Sequence, residues 1–356
     1  MHKIHRHVWS NQAWEIMNAP QLLPALKLMI GFAVSLLPTA VACAGISWSA
    51  ETPIDRGAWG RLTRLPDGQW LSVITRFSKN EPSRLSLYRA THVSGSWLPV
   101  NDLREVGRKL DNGHLLTLSN GVVLLTGRSL VDGQSYHLPV YRSVDRGQTW
   151  QALSQVDSSE VAPGTTGSRG LWEPFLFQLS DGKVSVIYSN EKQDGYSQVL
   201  SQKTSADGGR TWGPEIRIVE ETGGGKLRPG MGVVSRMAGR RFLLVYEVVG
   251  LGRGIVHYKI SRDGISWPAG LGSPILGHEA APYVIVMSDG RIVLTSCSNT
   301  LAISDDEAKT WRVLEDSPWT AGFNYNWPAL YEIGPGELAA IVSAGSVKLR
   351  IGHWVK

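Results

Sequence analysis

Cysteine is scarce in this chain, two in 356 residues, and that scarcity sets the first limits. Cys43 falls in the N-terminal segment and Cys297 in an apolar run, so no disulfide framework can be drawn; Cys297 reads as a buried, inert thiol. Paired cysteines and His-x-x-x-His spacings are missing, which removes the usual metal-ligand patterns, and neither a metal nor a cofactor is expected. No basic run or basic–aromatic stripe occurs, so nucleic acid is not an expected partner. The net charge of +5 falls to +3 once Lys3, Arg6, Lys27 and Glu15 of the N-terminal segment are set aside. Helical periodicity longer than three turns is absent after residue 45. The longest apolar run, residues 28–42, is short of the ~20 residues a membrane span needs.

That run follows a basic start and ends in Ala42-Cys43-Ala44, a small-x-small cleavage pattern. Residues 1–44 therefore read as a signal peptide, and the mature chain as secreted or periplasmic. The leader is long enough that translation could begin at Met17. A lipid anchor at Cys43 is the alternative, though the usual Leu of a lipoprotein box is missing. No stable membrane span is expected in the mature form, which reads as a monomer.

What the chain has is glycine (39) and tryptophan (14). Ser143-Val-Asp145-Arg-Gly147-Gln-Thr149-Trp150 and Ser205-Ala-Asp207-Gly-Gly209-Arg-Thr211-Trp212 are two copies of one signature. A shortened copy ends at Trp267, and one without its glycine runs from Ser304 through Ala308 to Trp311. Trp97 and Trp354 look like eroded copies, which would put all six at corresponding places roughly 43 to 62 residues apart. Asp, Gly and Ser/Thr at these offsets make a tight turn, and Trp anchors it, so the repeats read as fasteners.

Six hairpin signals interleave with them: Asp67-Gly68, Asn120-Gly121, Asp181-Gly182, Gly239-Arg240, Asp289-Gly290 and Pro335-Gly336. Each joins two short runs rich in Val, Ile, Leu and Tyr. The unit is thus four strands, repeated six times: an all-β, six-bladed β-propeller of antiparallel blades over residues 45–356. Residues 46–48 are expected to complete the last blade. Glycine-rich Gly250-Leu-Gly252-Arg-Gly254 is followed by a strand-like run, where a dinucleotide fingerprint needs a helix.

This topology puts both sets of turns on one face. The opposite face carries the starts of first strands (Arg61, Asn112 with His114, Glu173, Arg228, Tyr283, Tyr325 with Trp327) and the ends of second strands (Arg76, Arg128, Glu191, Glu247, Asn299). Glu173 and Glu247 stand out because each lies in an apolar run, where a carboxylate is costly to bury without a partner. Either they pair structurally with an arginine such as Arg228, or they flank a scissile glycosidic bond. Arg61, Asn112, Arg128, Trp172, Arg228 and Tyr325 are the candidate substrate contacts; Trp172, Tyr246, Tyr325 and Trp327 could pack against sugar rings.

The Ser-x-Asp-x-Gly-x-Thr-Trp repeats resemble the Asp boxes of the sialidase superfamily. Trp172-Glu173-Pro174, Tyr188-Ser-Asn-Glu191, Ser197-Gln198, Arg228-Pro-Gly-Met231 and Tyr246-Glu247 together resemble the exo-arabinanases of glycoside hydrolase family 93 and their bacterial relatives. The resemblance runs from about Arg61 to the end. It implies a six-bladed hydrolase acting with retention through two glutamates, which fall on Glu173 and Glu247. Two departures stand out: the sialidase Phe/Tyr-Arg-Ile-Pro motif is replaced by Trp59-Gly-Arg61-Leu62, and Gly follows Met231 where Pro is expected.

The expected function is cleavage of an arabinan-like oligo- or polysaccharide. The alternatives are an exo-sialidase using a Tyr/Glu pair, or a non-catalytic sugar-binding propeller. Apolar neighbours of Glu247 favour the acid role for it, but Glu173 has apolar neighbours as well.

Overall fold

The structure, a computed structural model, describes residues 45–162, 169–221, 225–322 and 324–355. The signal-peptide reading concerns residues 1–44, outside that set.

Six antiparallel sheets follow one another along the chain. The first is Ala58–Arg64, Trp70–Arg76, Arg84–Ala90 and Leu98–Leu103; the second is Lys109–Thr117, Val123–Val131, Ser135–Ser143 and Gln151–Glu160. The third runs Leu171–Gln178, Val184–Asn190, Val199–Ser205 and Ile216–Val219, and the fourth Arg228–Arg236, Phe242–Gly250, Gly252–Ser261 and Ser273–Glu279. The fifth is Tyr283–Val286, Ile292–Thr295, Leu301–Ser304 and Arg312–Leu314. The last combines Asn326–Gly334, Glu337–Ser343 and Ser346–Trp354 with Ile46–Trp48 and Thr52–Arg56, both paired to Ser346–Trp354. This is a six-bladed β-propeller whose ring is closed by the N-terminal strands.

Inner strands are buried on both faces because each blade is sandwiched between neighbours. Val184–Asn190 is buried along its whole length, which explains an apolar run without alternation; the outer Leu98–Leu103 is mostly exposed. Leu62, Ile74, Ile187, Leu244, Leu294 and Ile341 belong to one core cluster that spans five blades, while the second packs in two clusters with its neighbours.

The Asp turns join third to fourth strands. Ser304 Oγ donates to Asp306 (2.8 Å) and accepts the Ala308 N–H (2.9 Å), while Thr310 donates to Asp306 from backbone and hydroxyl. The Thr310 and Ser304 bonds hold Asp306 down to about 2. Ala308 keeps the left-handed backbone, φ 68°, that glycine supplies in the other three copies. Four of the six expected tryptophans follow such a turn, and Trp97 follows a turn without an aspartate at the same place in its blade. Trp354 does not: it ends the third strand itself, under Arg291, because Ile46–Trp48 takes the fourth place and no turn is needed there.

The opposite rim has its own repeat. At the start of the first strand the register slips between Ala58 and Arg61, Asp111 and His114, Trp172 and Phe175, Gly230 and Val233, and Asn326 and Ala329. Inside each slip one residue has a left-handed φ: Trp59 58°, Asn112 50°, Glu173 49°, Met231 52° and Trp327 50°. Ala281, at 45°, stands two residues before Tyr283 in the fifth blade. Each is followed by Gly or Pro: Gly60, Gly113, Pro174, Gly232, Pro282 and Pro328. The glycines are required by close approach, since a Cβ at Gly60 would lie 2.4 Å from Val347 and one at Gly232 2.9 Å from Ile187, both on the preceding blade.

Candidate active site

The five bulges and Ala281 put one left-handed residue per blade on this rim. Trp59, Met231 and Ala281 form an apolar cluster with Cys297, and Trp327 packs on it, its ring 5.7 Å from that of Trp59. Glu173 and Asn112 are the polar members of the set.

Glu173 is half-buried and accepts a hydrogen bond from Ser189 Oγ at 2.8 Å. The same hydroxyl accepts the Met231 N–H at 3.3 Å, so Ser189 links the third-blade carboxylate to the fourth-blade bulge. Glu247, on the second strand of the fourth blade, lies directly across from Gly230 and accepts the Ala281 N–H at 2.6 Å. Gly230 stands beside Glu247 and beside the Ser189 hydroxyl that holds Glu173. A Cβ there would lie 3.3 Å from Ser189 Oγ, 3.7 Å from Glu247 Oε1 and 2.7 Å from Gln198 Nε2. The missing side chain leaves the space beside both groups clear.

The two carboxyls are electrostatically coupled but differently supported. Burial pushes Glu247 up to about 7; the Ala281 N–H opposes this, the Glu173 charge adds to it and Arg228 counters it. Burial also raises Glu173, against the Ser189 hydroxyl and the Arg128 charge. Glu173 thus has the Arg128 charge and a hydroxyl that favour its ionised form against burial and the Glu191 charge, whereas Glu247 has one backbone N–H and the Arg228 charge.

The candidate arginines are each held in place. Arg128 makes a two-pronged ion pair with Asp111 (2.8 and 2.5 Å) and lies 4.0 Å over the ring of Trp172. Arg228 pairs with Glu191 at 2.5 Å and also bonds Ser197 and Gln198, so the arginine considered as a partner for Glu247 is committed to Glu191. Arg61 does not reach the mouth. It is buried beneath Trp59, with NH1 donating to the carbonyls of Gly60 and Trp327. Arg76 pairs with Asp55 and ties the first blade to the ring-closing strand.

Of the aromatic candidates, Tyr246 is wholly buried, its hydroxyl bonded to the Leu271 carbonyl, and offers no face to a ligand. One face of Trp172 is occupied by Arg128. Tyr325 packs on buried Trp319 at 5.3 Å. Trp327 remains half-exposed at the mouth. Asn299 is buried with its amide donating to the Gly322 carbonyl, and Tyr283 lies in the channel under Arg61. Among the described residues, no three His, Cys, Asp or Glu side chains converge as a metal site.

Sequence reasoning missed Ser189, Gly230 and the Ala281 N–H, which hold and space the two acids. Only Ala281 carries a signal: a Gly or Pro follows each left-handed residue of this rim, six times over, and Pro282 follows Ala281.

A family model described as a BNR repeat-like domain matches residues 137–329. No curated protein matches. Among solved structures, the chain is similar to a Penicillium chrysogenum α-L-arabinanase complexed with arabinobiose (TM-score 0.74, 22% identity, 86% of this chain and 98% of that one). It is also similar to a Fusarium graminearum family 93 α-L-arabinofuranosidase complexed with arabinobiose (TM-score 0.74, 20% identity, 86% and 98%). A Hadza microbial sialidase is similar at TM-score 0.62 and 12% identity, covering 84% of this chain and 66% of that one. The match to the family model spans more than half of the sequence, and the chain belongs to the BNR repeat-like family.

Proposed function

We propose that the chain is a retaining glycoside hydrolase acting on arabinan-like oligosaccharides, exported by its N-terminal segment. The observation that carries this is the pair of coupled carboxyls on adjacent blades, Glu173 and Glu247, with Gly230 leaving open the space beside Glu247 and beside the serine that holds Glu173. The arabinobiose complexes of the similar arabinanase and arabinofuranosidase support the choice of sugar.

Glu247, protonated up to about pH 7, donates its proton to the leaving glycosidic oxygen. Glu173, ionised beside Arg128 and Ser189, attacks the anomeric carbon as the C–O bond breaks, giving a glycosyl ester. The Glu247 carboxylate then takes a proton from water, whose oxygen displaces Glu173 and releases the sugar with its original configuration. Half-exposed Trp327 supplies an apolar wall for the ring. A sialidase would need free arginines at the mouth, yet Arg61 is beneath Trp59 and Arg128 and Arg228 are already paired.

The test is sugar release from arabinan, sialoside and aryl-glycoside panels, with the product anomer read by NMR. Glu173→Gln supplied with azide should give no glycosyl azide, whereas Glu247→Gln with azide should give one of retained configuration. A wild type inactive on every arabinoside would overturn the reading.

A further inference from the structure

Beside Glu173 lies a cavity of about 20 Å³, room for one water-sized occupant. Trp59, Arg61, His114, Glu173, Phe175 and Met231 line it. Its walls hold a feature that the hydrolytic reading does not use: a buried guanidinium with no counter-charge. Arg61 is 4% exposed, and among the described residues no carboxylate pairs with it. Its faces are taken by the rings of Trp59 at 4.6 Å and Tyr283 at 5.4 Å, and NH1 by two backbone carbonyls. The remaining N–H groups have no protein acceptor. A buried cation in that state is costly, because ring faces and neutral carbonyls replace only part of the lost hydration.

His114 supplies a second donor beside it. Its Nδ1 accepts the Leu176 N–H at 3.2 Å, which leaves the proton of the neutral ring on Nε2. The ring is fixed against Phe175 at 4.1 Å and feels the Arg61 charge. Glu173 borders the same cavity, but its carboxylate is held by the Ser189 hydroxyl and feels the Arg128 charge. One cation and one neutral N–H donor therefore share a small chamber whose other walls are apolar except at Glu173.

We propose that this chamber binds one small inorganic anion of the halide class, held by the free guanidinium edge of Arg61 and Nε2–H of His114. The space is too small for a sugar carboxylate with its ring. The proposal stands whether or not the chain cleaves arabinosides, and its test reads no activity.

The melting temperature of the full mature protein is measured in sodium chloride or bromide against sodium gluconate at equal ionic strength. Crystals grown in bromide are examined at the bromine absorption edge. The expected result is a saturable rise of about 3 °C or more with halide but not gluconate, with one anomalous peak between Arg61 and His114. Arg61→Met should abolish both. If that variant does not fold, the wild-type pair of measurements decides. A peak without a saturable shift is an adventitious ion only and overturns the proposal, as does a shift whose peak lies elsewhere, or neither signal.

Discussion

The two rims of this ring repeat in opposite ways. On one, four Asp turns keep the same residues: Ser, Asp, a left-handed position and Thr or Ser bond each other almost identically at Asp145, Asp207, Asp263 and Asp306. On the other, six left-handed residues, five of them inside bulges, keep the same backbone, φ between 45° and 58°, but are Trp, Asn, Glu, Met, Ala and Trp. Where a turn must close a blade, local hydrogen bonds dictate residue types. Where a bulge only has to aim a side chain at the axis, the backbone is fixed and the side chain is free to vary. A left-handed φ in a non-glycine residue costs about 1–3 kcal/mol, and such strain clusters at functional sites. The variable rim is thus the one on which a site can be built without disturbing the ring.

The largest expected effect tests that division at the carboxylates. Glu173→Gln and Glu247→Gln should each lower turnover by about 10²–10⁴-fold while leaving the fold intact. They should also differ in pH behaviour. Glu247 is raised from its ordinary 4.5 to about 7, so its contribution to stability is full below 4.5 and is lost as pH rises through 7. Glu247→Gln should flatten the fall in melting temperature between those values, and wild-type turnover should decline above about 7 as the acid loses its proton. Early unfolding of both variants with turnover per folded molecule retained would make the pair structural.

On the Asp-turn rim the converse is expected. A Cβ at Gly264 would meet Leu179 at 2.7 Å and Phe242 at 3.0 Å, and its φ is 76°. Left-handed strain and overpacking together put Gly264→Ala at about 2–4 kcal/mol of lost stability by denaturant titration. Turnover per folded molecule should not change; a catalytic loss there would mean the rims are coupled.

This contrast also explains what could be read from the sequence. Blade number, hairpins and ring closure at residues 46–48 were legible because the turn rim repeats residue types. Trp354 was misread because the chain meets its own N-terminal strand there, a tertiary fact with no local mark. Glu173 and Glu247 were visible as acids in apolar runs. Ser189 was not, since a serine in a strand has no signal until the fold places its hydroxyl 2.8 Å from Glu173. Arg61 looked like a mouth residue because it starts a first strand; the bulge at Trp59 puts the tryptophan at the mouth and turns the arginine inward.

A smaller effect is expected at Ser189, which holds Glu173 from the neighbouring strand. Ser189→Ala removes a hydrogen bond to a charged group, worth about 1.5–3 kcal/mol, part of which is recovered by rotation of the carboxylate toward Arg128. Turnover should fall by about tenfold, and the acid limb of the pH profile should move up, because the lost donor favoured the ionised form of Glu173. Ser189→Thr should restore the limb. A uniform loss at all pH values would instead mark Ser189 as a packing residue.

The smallest effect comes from the turn that lost its glycine. Ala308 holds φ 68° and donates its N–H to Ser304 as the glycines of the other copies do. Ala308→Gly relieves about 1–2 kcal/mol of left-handed strain, but frees the unfolded chain by about 0.5–1 kcal/mol. It also deletes a buried methyl worth up to ~0.8 kcal/mol. These offset one another, so the melting temperature should stay within about 1 °C of the wild type. Gly264→Ala and Ala308→Gly are reciprocal changes at one turn position, yet one should cost several kcal/mol and the other almost nothing. The difference lies in the neighbours: Leu179 and Phe242 crowd Gly264, whereas the space at Ala308 already accommodates its methyl. If Ala308→Gly gained as much stability as Gly264→Ala lost, backbone strain alone would govern both sites. The turn rim would then be held to glycine by φ and not by what packs against it.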